Sequence, residues 1–462
     1  MKLTKFGKAL LMSALSVGAV LSITSCVESY TVGYLYVTGT ETPQTNGSGY
    51  IAGFKIDHNT GKLTAINGLN PPISTGGANP VRAVLLTGDR FVYILNRGVN
   101  KEGNGDCTSS DPCLNPSITQ FAIGANGILT AQPETFYTQG MNPFRMIADG
   151  SGTYIYVLDH DSVYNGAVSS ATNPNPNCAN ALTGSTTCGD ITAFKIDSTT
   201  GRLQLVVNAQ VTAAGGGAAL PYFPVPSNPV DFVLSGGNLL TLSGTTAAAS
   251  YPYTGGSTVF PYSYSSSNGQ LTVNQNNAQA LNIAEGTAIV GGGSYIWVLD
   301  NEPISVSGVT ASQSQILPYT IGSGGSLSAA TSGPIPDDAT QSNPIYLVVE
   351  SKGKWFYVAN EGNNVIGTGT AESGLAGYYL ESPFEPQEIP GEPIGFGSGP
   401  GPQCLVEDPS NQFIYTANAN SSTVTGQVID ENAGVLTQFA KAPASYALAG
   451  PPTWCLVDGR TN

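Results

Sequence analysis

The chain has 462 residues, and only 10% of them are charged, with 16 Lys and Arg against 31 Asp and Glu. A net charge of −15 disfavours a nucleic-acid partner, because phosphate binding requires a basic surface. The composition also excludes a coiled coil or helical bundle, which would be rich in charged helix formers. With 57 Gly, 31 Pro and 22 Tyr, the sequence predicts many short β-strands joined by tight turns.

The N-terminus has the pattern of an export signal. Three lysines precede an apolar run at residues 9–23, which is too short to span a bilayer. The Ile-Thr-Ser-Cys sequence that ends at Cys26 resembles a bacterial lipobox, whose cysteine receives lipid. We therefore expect residues 1–25 to be a lipoprotein signal peptide, Cys26 to be the lipidation site and residues 26–30 to be a tether. The predicted location is the bacterial cell envelope, exported and anchored to a membrane through this lipid.

Export makes the other six cysteines candidates for disulfides, because an oxidising compartment favours them. No Cys-x-x-Cys or paired Cys/His spacing points to a metal site instead. Free buried cysteines remain the alternative. The candidate disulfide cysteines are Cys107 and Cys113, Cys178 and Cys188, and Cys404 and Cys455.

A β-rich run with two aromatic residues recurs at intervals of 55 to 86 residues, clearly at 34–37, 154–157 and 355–358. A weaker copy carries Leu242 in place of the second ring. Most runs follow an Asn-Pro or Gly-Pro step that opens an apolar strand, and most precede a strand–turn–strand hairpin. Seven units of four strands predict an all-β, seven-bladed β-propeller. A double-sheet sandwich does not explain seven copies with one internal order.

The two chain ends predict how the ring closes. The first unit lacks a Pro-led strand, and residues 452–458 supply one without an aromatic strand after it. We expect this C-terminal strand to join the first blade, so that residues 31–462 form one propeller. Aligned eleven residues before the aromatic, the Pro-led strands place in one column Arg82, Arg145, Asp231, Gly286, Tyr346 and Cys404, and Cys455 joins by matching Cys-Leu-Val. A Cys404–Cys455 disulfide would then join neighbouring blades, provided that the two Cα atoms lie within about 7 Å of each other.

The sequence resembles the seven-bladed lactonase-family propellers, which include 6-phosphogluconolactonase-like proteins. The resemblance rests on the aromatic-Val-x-Asn run at 357–360 and on the Phe-x-Ile-Asp-x-x-Thr-Gly-x-Leu runs at 54–63 and 194–203. It implies the propeller fold, and a lactone hydrolase with His, Arg and Glu around the channel mouth. One inner strand of the family reads Gly-Pro-Arg-His. The comparable segments here, 343–346 and 401–404, end in Tyr346 and Cys404 and contain neither Arg nor His. This difference disfavours classical lactonase activity.

Two arginines give the sharpest functional signal. Arg82 and Arg145 share a column in adjacent blades, and together they could bind a carboxylate or phosphate. Alternatively, each arginine pairs with Asp231, Glu361 or a carbonyl and closes the axis. Tyr346, in the same column, is a further candidate ligand-binding residue.

The candidate bases lie just after aromatic strands. His160 is flanked by Asp159 and Asp161, so it is either a base with a raised pKa or part of a surface turn. Glu361 occupies the analogous position in another unit and is the second candidate base. A calcium ion held by Asp159 and Asp161, or by Asp106 and its neighbours, has no complete ligand spacing to support it, so no cofactor is expected.

Two classes of function follow. The favoured one is a binding module that holds an anionic small molecule at the channel mouth, or an envelope protein on its loop-decorated face. The alternative is a divergent lactonase-type hydrolase, with His160 or Glu361 as base and the two arginines stabilising the oxyanion. A monomer is expected in either case.

Overall fold

The computed structural model describes residues 30–41, 48–86, 90–103, 107, 111–170, 172–180, 186–244, 256–273, 279–306, 309–362, 373–390, 394–395 and 401–459. The expected signal peptide, Cys26, the tether up to residue 29 and Asp106 lie outside these residues. Within the described ranges, no helix has the length and hydropathy to cross a bilayer.

The described strands form seven antiparallel blade sheets and three two-stranded hairpins, and the predicted seven-bladed β-propeller is confirmed. Each blade has an inner, a second, a third and an outer strand, numbered here from the blade that contains residue 31. From blade 1 to blade 7, the inner strands are Pro452–Asp458, Pro80–Leu85, Met141–Ala148, Pro229–Ser235, Gly286–Gly291, Pro344–Val349 and Pro402–Glu407. The second strands are Thr31–Thr40, Phe91–Asn96, Tyr154–Asp161, Asn238–Ser243, Tyr295–Asp300, Trp355–Asn360 and Phe413–Asn418. The third strands are Ser48–Asp57, Ser117–Ile123, Gly189–Ile196, Ser257–Tyr264, Gln315–Ile321, Gly374–Tyr379 and Thr423–Ile429.

The outer strand is continuous only in blade 2, and in the other blades it is interrupted, so that two short strands pair with the same third strand. The first parts are Leu63–Ala65, Leu129–Tyr137, Leu203–Leu205, Leu271–Val273, Leu327–Ala329, Gln387–Glu388 and Leu436–Gln438. The second parts, absent from blade 2, are Ile73–Ala78, Phe223–Val225, Gln279–Ile283, Ile335–Pro336, Ile394–Gly395 and Ser445–Ala447. Small hairpins outside the blades pair Val163–Tyr164 with Ala167–Val168, Asn208–Thr212 with Ala219–Leu220, and Ile304–Val306 with Val309–Ser312. Short 3-10 turns span Ala125–Gly127, Pro176–Asn180 and Ser323–Gly325.

The Asn-Pro and Gly-Pro steps turn the chain into the inner strands. The residue before the leading proline has a φ between 50° and 65° in five blades, at Asn79, Asn142, Asn228, Asn343 and Gly401. Gly and Asn adopt this left-handed conformation more readily than other residues, which explains the motif. A register shift follows the leading position in each inner strand, so the third residue, not the second, pairs next.

Aromatic residues of the second strands fasten most blades to the next one. Tyr36 donates a hydrogen bond to the carbonyl oxygen of Gly127, 2.7 Å away in the hairpin turn of blade 2. Gly127 has a φ of +74°, and a Cβ there would lie 2.4 Å from the ring of Tyr34. The first ring of the repeated motif therefore packs on the glycine, while the second ring binds its carbonyl.

The same contact recurs in four other blades, and blades 4 and 5 differ. The other donors are Tyr93 to Gly201, Tyr156 to Gly269, Tyr357 to Gly434 and Tyr415 to Gly61, and in blade 5 the indole of Trp297 donates to Pro383 at 2.8 Å. In blade 4 the equivalent residue is Leu240, which cannot donate. The expectation that Leu242 holds this position is wrong by two residues. The hydrogen-bonding aromatic residue pairs with the fifth residue of the inner strand, as Tyr93 pairs with Val84, and in blade 4 that partner pairs with Leu240, whereas Leu242 pairs with Asp231.

The C-terminal strand closes the ring as predicted. It pairs antiparallel with the second strand of blade 1, from Tyr34 opposite Asp458 to Gly39 opposite Pro452. A disulfide between Cys404 and Cys455, with Cα atoms 5.8 Å apart, joins the inner strands of blades 7 and 1. The other two expected disulfides, Cys107–Cys113 and Cys178–Cys188, are also present. Disulfides are typical of oxidising compartments, so the protein is extracytoplasmic.

The ring-closing disulfide should contribute most to stability. Replacing Cys404 and Cys455 with serine should lower the free energy of unfolding by about 4 kcal/mol, because the bridge spans 51 residues. The matched control replaces Cys107 and Cys113, whose loop spans 6 residues, and should cost about 2 kcal/mol. Denaturant unfolding of the oxidised proteins measures both values, and an equal or reversed loss would contradict this role.

Candidate functional site: the axial channel

The seven inner strands surround a channel along the propeller axis, and equivalent residues form layers within it. Counted from the leading Pro or Gly286, the third residues are Arg82, Arg145, Asp231, Ala288, Tyr346, Cys404 and Trp454. Two members of the predicted column are therefore wrong. Gly286 takes the place of the leading proline, and Cys455 lies one residue beyond the layer, so the disulfide is diagonal.

Arg145 has a carboxylate partner within this layer. Its Nε lies 3.2 Å from Oδ1 of Asp231, and both side chains are largely buried. The second oxygen of Asp231 accepts a hydrogen bond from the backbone N–H of Ile289 at 3.0 Å. The charge of Arg145 is therefore balanced inside the protein, which matches the axis-closing alternative for this residue.

Arg82 has a different environment. Its guanidinium carbon lies 3.6 Å from the ring centroid of Trp454, and Trp454 is fixed by a hydrogen bond to the carbonyl of Ala83 and by an edge contact with Tyr346. Burial, and secondarily Arg145, lower the pKa of Arg82 to about 9, so it remains a cation at neutral pH. Among the described residues, no carboxylate lies within ion-pair distance of Arg82.

Arg82 and the other polar residues of the layer line a cavity of about 670 Å³ that all seven inner strands enclose. The fifth residues of these strands form a second layer of the wall, and all are apolar. This apolar ring consists of Val84, Ile147, Val233, Val290, Val348, Val406 and Leu456. Towards the strand ends the wall includes Glu407, whose two oxygens accept hydrogen bonds from Ser351 and Asn411. Burial raises the pKa of Glu407 to about 7.

His160 lies outside this channel, in a second cavity of about 390 Å³ that Arg97 and Asp161 also line. Its ring stacks on Phe144 with the centroids 3.8 Å apart. Burial, followed by the charges of Arg97 and Arg145, lowers the pKa of His160 to about 3. Neither alternative for His160 is found: burial and the two arginines lower its pKa instead of raising it, and the residue is half-buried in the strand Tyr154–Asp161, not in a surface turn.

Glu361 also lies away from the channel wall. Its carboxylate oxygens each accept a hydrogen bond from an amide, one from Asn343 and one from Gln403, both at 2.9 Å. The structure therefore brings Arg82, Arg145, Asp231 and Tyr346 to one cavity, and leaves His160 and Glu361 in separate surroundings.

Two carboxyl groups of blade 3 face each other in the protein interior. Asp159 and Asp190 are opposite one another in the sheet, and both are fully buried. The Oδ2 atom of each has no hydrogen-bond partner. Burial, and for Asp159 the adjacent charge of Asp190, raise both pKa values well above the usual range.

The channel also contains features that the sequence argument missed. Trp454 lies two residues after Pro452, as Arg82 lies two residues after Pro80. Counting from the proline identifies Trp454 as a member of the layer, whereas aligning Cys455 with Cys404 does not. The apolar ring consists of the residue four positions after each leading Pro or Gly286, and this pattern is apparent only when the strands are aligned in one register. Among the described residues, no group of three or more His, Cys, Asp and Glu side chains is placed to hold a metal ion.

Comparison with known proteins gives similarity in structure only. The chain matches no protein-family profile and no curated relative. The periplasmic gluconolactonase of Pseudomonas aeruginosa is 14% identical, with a TM-score of 0.60, and the match covers 92% of this chain and 99% of that one. Putative 6-phosphogluconolactonases of Bacteroides uniformis and Bacteroides fragilis are also 14% identical, with TM-scores of 0.58 and 0.56. Those matches cover 92% of this chain and 99% and 98% of theirs, and identities this low establish the shared fold alone.

The buried Asp159–Asp190 pair predicts a particular pH dependence of stability. Because the folded-state pKa values are raised, the folded protein binds more protons, and its free energy of unfolding falls as pH rises above about 4. Asp190→Asn should relieve this loss, raising the free energy of unfolding by about 1–3 kcal/mol at pH 8 and by less at pH 5.

Urea unfolding at the two pH values measures this difference. The control is Asp197→Asn, in an exposed turn where hydrogen bonds from Thr200 lower the pKa of the carboxyl. Asp197 is ionised at both pH values, so its effect should not change between them. An Asp190→Asn effect that is equally independent of pH would contradict the raised pKa values of this buried pair.

Proposed function

We propose that this propeller is a binding module that takes up an anionic small molecule in its axial channel. The observation that carries the proposal is the contrast between two neighbouring arginines. Arg145 is neutralised by Asp231, whereas Arg82 is held by an aromatic ring and points its charge into a cavity. A buried cation without a carboxylate partner is costly, and a bound carboxylate or phosphate would satisfy it.

A lactonase-type hydrolase is less well supported by the same geometry. An efficient general base needs a pKa near the working pH, and the pKa of His160 is about 3. Glu361 is already held by two amide donors, and it does not line the cavity that contains Arg82. The similarity to gluconolactonases therefore supports this fold more strongly than the reaction.

The proposed location follows from the export signal together with the three disulfides. We propose that the mature chain begins at Cys26 and is held at an envelope membrane by lipid on that residue. The ligand would then be a molecule of the extracytoplasmic space. A phosphorylated sugar lactone made in the cytoplasm fits that location poorly.

Removing the positive charge of Arg82 should weaken anion binding. All described strands lie within residues 31–458 and pair with one another. A soluble chain that begins at Val27 therefore retains the whole propeller. In calorimetric titration with butyrate, Arg82→Gln should weaken binding by about 10- to 100-fold, since hydrogen bonds to charged groups contribute about 1.5–3 kcal/mol.

Arg90→Gln is the matched control, because Arg90 binds the carbonyl oxygens of Ser198 and Thr199 outside the channel. It should leave the butyrate affinity unchanged. Equal binding by wild type and Arg82→Gln would overturn the proposed site. Turnover of simple or sugar lactones that is lost in His160→Gln or Glu361→Gln would establish the hydrolase instead.

A further inference from the structure

The wall of the channel specifies more than the charge of its ligand. The third-residue layer presents Arg82, beside Trp454 and Tyr346, at one depth of the cavity. The fifth-residue layer presents only aliphatic side chains, from all seven blades. Two residues along a strand correspond to about 6–7 Å, so the cation and the apolar ring are separate but adjacent.

We infer that the ligand is an amphiphilic anion, with a carboxylate or similar head at Arg82 and an aliphatic tail through the apolar ring. This inference rests on the proposed anion site at Arg82 and names the chemical class of its ligand. A small hydrophilic anion would satisfy the guanidinium but would leave the seven aliphatic side chains facing water. An uncharged lipid would fill the ring but would leave Arg82 buried without a counter-charge.

The dimensions of the channel fit a medium-length tail. The third and sixth residues of a strand lie about 10 Å apart, which is about the length of an extended octanoate chain. The cavity volume of about 670 Å³ lies within the range of small-molecule sites, roughly 300–1,000 Å³. At the far end, both oxygens of Glu407 are engaged by Ser351 and Asn411, so this carboxylate has partners within the protein.

The electrostatics of the layer favour one head group. Asp231 is already occupied by Arg145 and Ile289, so the uncompensated charge next to the apolar ring belongs to Arg82. The planar guanidinium can bind a carboxylate through two N–H groups while its face remains stacked on Trp454. A cationic amphiphile would meet like charge at the same position.

The test is a chain-length series on the soluble chain from Val27. Butyrate, hexanoate and octanoate are titrated by calorimetry below their micelle concentrations, with octan-1-ol and octylamine as probes of the same tail without an anionic head. Affinity should rise by up to roughly fourfold for each methylene. Octanoate should bind at least tenfold more tightly than butyrate and at least tenfold more tightly than octan-1-ol or octylamine.

Two sets of variants locate the head and the tail. Arg82→Gln should weaken octanoate binding by at least tenfold. The triple variant Val233→Thr, Val348→Thr and Val406→Thr keeps the side-chain shape, and should reduce the octanoate-to-butyrate affinity ratio by at least fivefold. Val207→Thr with Val273→Thr, at two exposed positions, is the matched control and should keep the wild-type ratio. Thermal unfolding of each variant confirms that it folds.

The outcomes separate this inference from the proposed function. Equal affinity for butyrate and octanoate, both lost in Arg82→Gln, would overturn the amphiphile and keep the anion site. Equal affinity for octanoate and octan-1-ol would overturn the anionic head, and the proposed function with it. Absence of binding by every probe would overturn both. A tail-length dependence that persists in the triple threonine variant would place the tail outside the apolar ring and overturn the inference.

Discussion

The hydrogen bond from a second-strand aromatic residue to a turn glycine of the next blade sets the spacing on which the rest of the structure depends. In Tyr36 and Gly127, as in Tyr415 and Gly61, the donor is buried and the glycine lies against an aromatic ring of the donor's own blade. Each bond contributes about 1 kcal/mol, but its direction fixes how one sheet is placed against the next. Present in five of the seven blades, and replaced in blade 5 by the bond from Trp297 to Pro383, this contact helps to bring equivalent residues of the inner strands to the same depth.

That alignment explains why the channel has distinct layers. One register position supplies Arg82, Arg145 and Asp231, and the position two residues further supplies aliphatic side chains from every blade. A single acidic residue in the layer pairs with Arg145, and Arg82 stacks on Trp454 with no described carboxylate within ion-pair distance. Because the ring forces these residues together, one substitution at the third position changes the charge of the whole channel. Substitutions at this position can thus change the site without changing the fold. Proteins that share the propeller fold can therefore bind unrelated ligands.

The repeat made most of the fold predictable from sequence. Aromatic runs, turn glycines and Pro-led strands report on backbone conformation and burial, so they identified seven blades, the closing strand and the Cys404–Cys455 disulfide. The site was less predictable, because matching Cys-Leu-Val in the two strands placed Cys455 in the layer, whereas counting from the leading prolines places Trp454 there. The pKa of His160 could not be read from its sequence neighbours either. The charges that lower its pKa, after burial, are those of Arg97 and Arg145, and Asp159 is instead buried opposite Asp190.

A crystal structure of the soluble protein with 8-bromooctanoate tests most directly whether the axial channel binds an amphiphilic anion with its head at Arg82, because the anomalous signal locates the bromine. The carboxylate should lie on the guanidinium of Arg82, and the bromine should lie inside or beyond the apolar ring, towards Leu85 and Glu407. Bromine in the cavity beside His160, or a channel without ligand in crystals that hold it elsewhere, would contradict binding of the amphiphile in the channel.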